Sequence, residues 1–140
     1  VWYWLNRLHR SMRGALDRRL AKSGLTGLEW AVVHHLAEGV ETPSGVADCL
    51  GVDRAAVTRA VDRLGEKGLV DRKPHPDDRR SVVLTLTANG RRKLPGLRAV
   101  AEAADQEVLA GLSADDAAEL MRLLRTAAGP AGDGQQCPED

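Results

Sequence analysis

The sequence predicts a mostly α protein with a small β-wing, in which a helix-turn-helix precedes a hairpin and helices flank both. Apolar residues recur at steps of three and four along most of the chain, which is typical of amphipathic helices. The period changes to two only over residues 69–86, where two short strands enclose a polar turn that contains Pro76. A chain of 140 residues is long enough for one domain with its own core.

The first two helices have clear ends in the sequence. Residues 1–22 form the first predicted helix, which stops at Gly24. Thr26 and Glu29 have the spacing of a capping box, in which each side chain accepts a hydrogen bond from the other's backbone amide. A second helix therefore begins there and continues to Gly39.

The next two helices are short and closely spaced, as in a helix-turn-helix. Pro43 suits the first turn of the third helix, with Ser44 as the hydroxyl on its cap side. Asp53 can cap a fourth helix over residues 54–67. The inward face of that fourth helix is predicted to carry Val57, Val61 and Leu64.

Two more helices follow the hairpin, whose strands are predicted at residues 69–73 and 81–86. Thr87 can cap the fifth helix, and Pro95 should either kink that helix or mark a late start. Ser113 can cap the sixth. Residues 129–140 are rich in Gly, Pro, Gln and acids, which predicts a disordered acidic tail.

The charges are distributed unevenly, although the net charge is zero. Residues 54–93 carry eleven basic and five acidic side chains, whereas residues 94–140 carry three basic and nine acidic ones. Residues 1–53 are balanced, with six of each. A basic segment confined to the helix-turn-helix and hairpin is typical of a protein that binds a polyanion, although a solvated charged face is an alternative.

The fourth helix is the candidate recognition helix, because polar and small residues occupy the face opposite its apolar stripe. An arginine can hold guanine with two parallel hydrogen bonds, and Thr or Ala can contact a thymine methyl group. Arg54 and Arg63, nearer the edges, can equally hold phosphates. The candidate DNA contacts in the helix-turn-helix are Ser44, Arg54, Ala55, Thr58, Arg59 and Arg63.

The hairpin tip supplies two further candidate DNA contacts, Arg79 and Arg80. An arginine at such a tip is long enough to enter an adjacent minor groove, where narrow A·T tracts concentrate negative potential. Asp78 is assigned a different role, which is to pair with Arg80 and shape the wing while Arg79 reaches outward.

These motifs resemble the MarR family, the multiple antibiotic resistance type of regulators, over roughly residues 4–127. The resemblance depends on the wing signature Asp78-x-Arg80, five residues and Leu86-Thr87-x-x-Gly90, and on Val57-Thr58-Arg59-x-Val61-Asp62-Arg63-Leu64. Gly65 departs from the family, whose members usually have Leu at that point. The resemblance implies a transcription regulator, often a repressor that is released by a small ligand, such as an aromatic anion, or by thiol oxidation. It also implies a minor-groove contact from Arg79.

The resemblance also implies an obligate homodimer on a pseudo-palindromic operator in double-stranded DNA. The wide apolar stripes of the terminal helices predict the same assembly, because the small central unit cannot cover them. Residues 1–24 and 88–128 are therefore assigned to dimerisation helices, and residues 25–87 to the winged helix-turn-helix unit.

A small-molecule pocket is expected between the dimer helices and the DNA-binding unit, as in the family. Trp4, His9, Trp30 and His34 are its candidate lining residues. The alternative is that Trp30 belongs to the core and that the histidines are surface or packing groups.

The sequence gives no sign of catalytic chemistry. It has no phosphate-binding loop, no paired Cys-x-x-Cys and no Gly-x-Ser-x-Gly, so neither an enzyme nor a cofactor or metal site is expected. No apolar run of membrane-spanning length and no signal peptide occur, which predicts a cytoplasmic protein without a membrane partner. The alternative function is a winged-helix module that contacts proteins only.

Overall fold

The computed structural model describes residues 1–76 and 81–129 of the chain. In that part the elements are, in chain order, α1 (Trp2–Leu20), α2 (Gly27–Ala37), α3 (Pro43–Leu50), α4 (Arg54–Glu66), β1 (Val70–Pro74), β2 (Val82–Leu86), α5 (Ala88–Leu109) and α6 (Ala114–Ala128). A short 3-10 helix, Ala21–Ser23, extends α1. The predicted mostly α fold with a β-wing is therefore confirmed.

Side-chain caps determine where the longer helices begin. Thr26 and Glu29 form the predicted capping box, with both side chain-to-amide distances at 3.2 Å. Thr87 Oγ1 accepts the Gly90 amide at 2.9 Å, so α5 begins where predicted, and the expected late start at Pro95 is wrong. Pro95 lies inside the continuous helix α5. Its ring removes one backbone hydrogen-bond donor, but the helix has already begun at the capped first turn.

One predicted cap of the helix-turn-helix is wrong, and the position of the other is confirmed. Pro43 is the first residue of α3, so the cap is Thr42, whose Oγ1 accepts the Gly45 amide at 3.0 Å. Ser44 lies inside the helix and donates its hydroxyl to Thr42 Oγ1 at 3.4 Å. Asp53 occupies the cap position of α4, but its carboxylate accepts no hydrogen bond from the first turn of that helix.

The core lies between α2, α4 and the hairpin, and α5 closes it. The predicted inward face of α4 is confirmed, since Val57, Val61 and Leu64 are at most 1% exposed. The hairpin is also tied to the segment before α3, because Leu84 donates its amide to the Glu41 carbonyl at 2.7 Å. These contacts fix α4 with its polar face outward.

The base of the hairpin is packed closely against the start of α5. The strands are antiparallel, with Val70 opposite Leu86 and Pro74 opposite Val82. Beyond the last pair, Thr87 donates its amide to the Leu69 carbonyl at 3.0 Å. The direction in which α5 leaves the wing is therefore set by this junction.

Apolar side chains are left uncovered at the start of α1 and along α6. The first turn of α1 projects beyond its contact with α5, so Trp2 is 79% exposed and Trp4 is 66% exposed. In α6 no residue is buried, although Ala117, Leu120, Met121 and Leu124 form one apolar stripe. None of the described helices is long and apolar enough to cross a membrane.

Candidate nucleic-acid interface

The outer face of α4 is exposed over its whole length. The exposed side chains are those of Arg54, Ala55, Thr58, Arg59 and Asp62, and the buried ones are those of Val57, Ala60 and Val61. Four of the predicted DNA contacts therefore lie together on one accessible surface. Arg59, at the centre of that surface, makes no ion pair with any residue that the structure describes.

The flanking groups on this face are partly engaged within the chain. Arg54 lies 3.9 Å from Asp48 of α3, and both side chains are largely exposed. The Thr58 hydroxyl donates to the Arg54 carbonyl at 3.0 Å. Since such an exposed ion pair is weak, Arg54 can exchange Asp48 for a phosphate at little cost.

Strand β1 braces the recognition helix through Arg72. Its guanidinium lies 2.6 Å from the Asp62 carboxylate and donates to the Thr58 carbonyl at 3.2 Å. This pairing neutralises Asp62, the one acidic group of the outer face, and joins the wing to α4. The sequence interpretation did not assign this role to Arg72.

Arg63 has an internal partner. Its Nε donates to Glu29 Oε1 at 2.8 Å, and Lys67 Nζ lies 2.6 Å from Glu29 Oε2. Lys67 also donates to the Gly24 carbonyl at 2.6 Å. We refer to Glu29, Arg63 and Lys67 as the Glu29 cluster. It joins the start of α2 to the end of α4.

The carboxylate of the Glu29 cluster is fully buried, whereas its two cationic partners reach solvent. Burial raises the pKa of the Glu29 carboxyl, but hydrogen bonds from Lys67, Arg63 and the Thr26 amide outweigh burial and bring that pKa below its ordinary value of 4.5. Glu29 is therefore held as a carboxylate in the folded protein.

The remaining candidate DNA contacts lie elsewhere. Ser44 is half-buried in the first turn of α3, the helix that precedes the recognition helix. Asp78, Arg79 and Arg80 of the wing tip lie outside the described residues, as do residues 130–140 of the predicted tail.

A cavity of about 420 Å³ lies between α2 and α5. It is lined by Trp30, His34, Arg98, Ala101, Glu102 and Asp105. Two of the four predicted pocket residues, Trp30 and His34, thus line the same cavity. Trp30 is also a core residue, with only 8% of its surface exposed. The sequence interpretation did not include the four lining residues from α5, because only the packing of that helix reveals which of its faces meets α2.

The structure does not bring Trp4 or His9 to this cavity. Both lie on the exposed N-terminal half of α1. Trp4 instead contacts its own neighbours, with the Tyr3 ring centroid at 5.2 Å and the Arg7 guanidinium 5.8 Å above its ring.

Comparison with known proteins gives one consistent result. The model of the MarR family matches residues 23–81. A transcriptional regulator of the MarR family from Rhodococcus sp. RHA1 superposes with a TM-score of 0.84 at 28% identity, covering 92% of each chain. The central part of the chain thus matches the MarR family model, and the chain is similar in fold to a regulator of that family.

Two further solved structures resemble the chain along almost its whole length. A mutant of MarR from E. coli complexed with operator DNA has a TM-score of 0.80 at 28% identity, and covers 91% of this chain and 92% of its own. CouR from Rhodococcus jostii RHA1 bound to p-coumaroyl-CoA has a TM-score of 0.78 at 29% identity, covering 92% of both chains. The similarity thus includes the flanking helices as well as the central unit.

The Glu29 cluster is a further part of the site that the sequence interpretation missed. The sequence carries a signal for it, because Arg63 and Lys67 are four residues apart and so share one face of a helix. What the sequence does not show is that this face meets a buried carboxylate 34 residues upstream. Among the described residues, no group of three or more His, Cys, Asp or Glu side chains is placed to hold a metal ion.

Proposed function

We propose that this chain is a sequence-specific regulator of transcription that binds double-stranded DNA through α4 and the wing. The observation that carries this proposal is the accessible face of α4, with Arg59 at its centre and with its one acidic group, Asp62, neutralised by Arg72. The family member crystallised with operator DNA supports it. In this role Arg59 contacts a base edge, while Ser44, Arg54, Ala55 and Thr58 contact bases or phosphates beside it.

The wing has a separate part in this proposal. Arg79 is proposed to enter the minor groove next to the recognition helix, and Arg80 is proposed as a further DNA contact. Asp78 shapes the wing by pairing with Arg80. Arg63 is assigned mainly to the Glu29 cluster, because its Nε already donates to a buried carboxylate.

The active form is proposed to be a homodimer on a pseudo-palindromic operator. Residues 1–24 and 88–128 are the dimerisation helices, and they carry the apolar side chains that one copy leaves exposed. A two-fold axis between paired helices buries both sets at once. The two α4 helices then enter successive major grooves, about 34–36 Å apart.

Regulation is proposed to be repression in the cytoplasm that a small ligand releases. The cavity between α2 and α5 is the site for that ligand, since the cavity lies between a helix of the DNA-binding unit and a dimerisation helix. The relative bound to p-coumaroyl-CoA supports a ligand-responsive role.

The test compares Arg59→Ala with Arg63→Ala on a duplex that the wild-type protein selects from a random pool. Arg59→Ala is expected to weaken binding by about 1–3 kcal/mol for each recognition helix, because a base contact is lost. Its melting temperature should stay that of the wild type. Arg63→Ala is expected to lower the melting temperature and to change affinity much less.

Fluorescence anisotropy at several salt concentrations measures both variants. Wild-type affinity should fall steeply with salt, since each neutralised phosphate releases counterions. A folded Arg59→Ala protein with wild-type affinity contradicts the recognition-helix assignment. If the wild type itself selects no sequence, the protein-contact function takes precedence.

A second variant tests the dimer. Met121 lies on the apolar stripe of α6 and is 45% exposed in one chain, so a glutamate is tolerated there unless a partner covers it. Met121→Glu is expected to convert the dimer to monomers in sedimentation velocity. Thr126→Glu adds the same charge about 140° around the helix and should leave the dimer intact. An unchanged Met121→Glu dimer excludes this face from the interface.

A further inference from the structure

The cavity between α2 and α5 has one aromatic wall. Trp30 and His34 lie four residues apart on α2, with ring centroids separated by 5.5 Å and ring planes inclined by 36°. A volume of about 420 Å³ suits a ligand of one or two rings. The α2 side of the cavity therefore carries two neighbouring aromatic rings.

The opposite wall is acidic. Arg98, Glu102 and Asp105 lie three or four residues apart on α5, so they share one face of that helix. Arg98 is paired with the Glu38 carboxylate at the end of α2, and its charge is thereby neutralised. Neither Glu102 nor Asp105 is paired with a basic side chain in the part of the chain that the structure describes. Two negative charges thus remain at the cavity.

The two carboxylates also oppose each other. Partial burial at the cavity wall and, in addition, the charge of Glu102 raise the pKa of the Asp105 carboxyl. A positive charge placed beside both groups would relieve that repulsion, whereas a carboxylate or phenolate ligand would add to it. The negative charge of the cavity therefore disfavours an aromatic anion, which is the ligand that the family resemblance implies.

We propose that this cavity takes a small aromatic cation, whose ring packs against Trp30 and whose positive group lies between Glu102 and Asp105. The inference rests on the ligand-responsive role proposed above and specifies the chemical class of its ligand. Attraction between the cation and the tryptophan ring adds to the attraction of the carboxylates.

Benzamidinium and benzoate are a matched pair of probes, because they share a ring and a planar head group and differ in charge. Isothermal titration of the wild-type protein at low salt is expected to give binding of benzamidinium and at least tenfold weaker binding of benzoate. The binding of benzamidinium should weaken as salt is added.

Variants locate the site. Glu102→Gln and Asp105→Asn are each expected to weaken the binding of benzamidinium by up to about fivefold. This is the largest effect expected from the loss of one partly exposed ion pair. Glu66→Gln removes the same charge from an exposed residue that does not line the cavity, and should have no effect. Both cavity variants should melt like the wild type, which a parallel melting curve checks.

Three results overturn the inference: benzoate binding as tightly as benzamidinium, neither probe binding, or benzamidinium binding that both cavity variants leave unchanged. Binding of the selected duplex is measured on the same protein preparations without either probe. If the duplex still binds, the DNA-binding function stands and only the ligand class is wrong. If the duplex does not bind, the proposed function fails independently of the cavity.

Discussion

Replacing Glu29 by glutamine is expected to lower the free energy of unfolding by about 2–3 kcal/mol, because two charge-assisted hydrogen bonds lose their anionic acceptor. Arg63 and Lys67 are 46% and 36% exposed, so both can turn to water once the carboxylate is gone. The loss therefore stays below that expected when a buried charge is left without a partner. Urea denaturation measures it.

The effect of this substitution should depend on pH. The folded-state pKa of Glu29 lies below its ordinary value of 4.5, so its charge stabilises the protein above that pH. The stabilisation is lost as the pH falls through the folded-state pKa. The difference between wild type and Glu29→Gln should consequently be full at pH 7 and shrink below about pH 4.5.

Glu119→Gln is the control for Glu29→Gln, because it breaks an ion pair with Arg122 whose side chains are both more than half exposed. Exposed pairs contribute little, so this variant should unfold like the wild type. If both variants unfold alike, the Glu29 cluster does not stabilise the fold. A Glu29→Gln difference that persists at acid pH would contradict the assignment of the charge.

Replacing Gly90 by alanine is the second large effect expected, a destabilisation of about 2–3 kcal/mol. A Cβ atom at Gly90 would lie 2.3 Å from the Leu69 carbonyl oxygen, which belongs to the backbone at the base of the wing. That oxygen also accepts the Thr87 amide at 3.0 Å, so it cannot move without loss of a hydrogen bond. The wing and the start of α5 must separate to admit the methyl group.

Gly96 provides a matched control on the same helix. A Cβ atom there meets nothing within 4 Å, so Gly96→Ala should stabilise the protein by up to about 1 kcal/mol through helix propensity. Thermal melting of the two variants should therefore shift in opposite directions. Two shifts of the same sign would show that the junction between the wing and α5 is less closely packed than described.

Local patterns were sufficient to predict the order of the helices and strands and the exposed face of α4. The capping box, the apolar steps and the change of period at the hairpin all depend on neighbours within a few residues. Even the error at Ser44 was avoidable, because a proline at the first helical position makes the preceding residue, Thr42, the cap.

The Glu29 cluster and the lining of the cavity were not predictable in the same way. Glu29 has the sequence spacing of a capping box and forms one, but its second role depends on the crossing of α2 and α4. The charge of the cavity depends on which face of α5 meets Trp30, and on the pairing of Arg98 with Glu38. Such features arise from tertiary packing between residues distant in the chain.

Helix α2 carries Glu29, which holds the end of α4, next to Trp30, which faces the cavity. With 11 residues and a capped start, α2 has no internal joint at which the two contacts could move independently. A ligand that displaces α2 therefore also displaces the recognition helix. Thermodynamic linkage then makes the effect reciprocal. If the ligand lowers the affinity for the operator by some factor, the operator lowers the affinity for the ligand by the same factor.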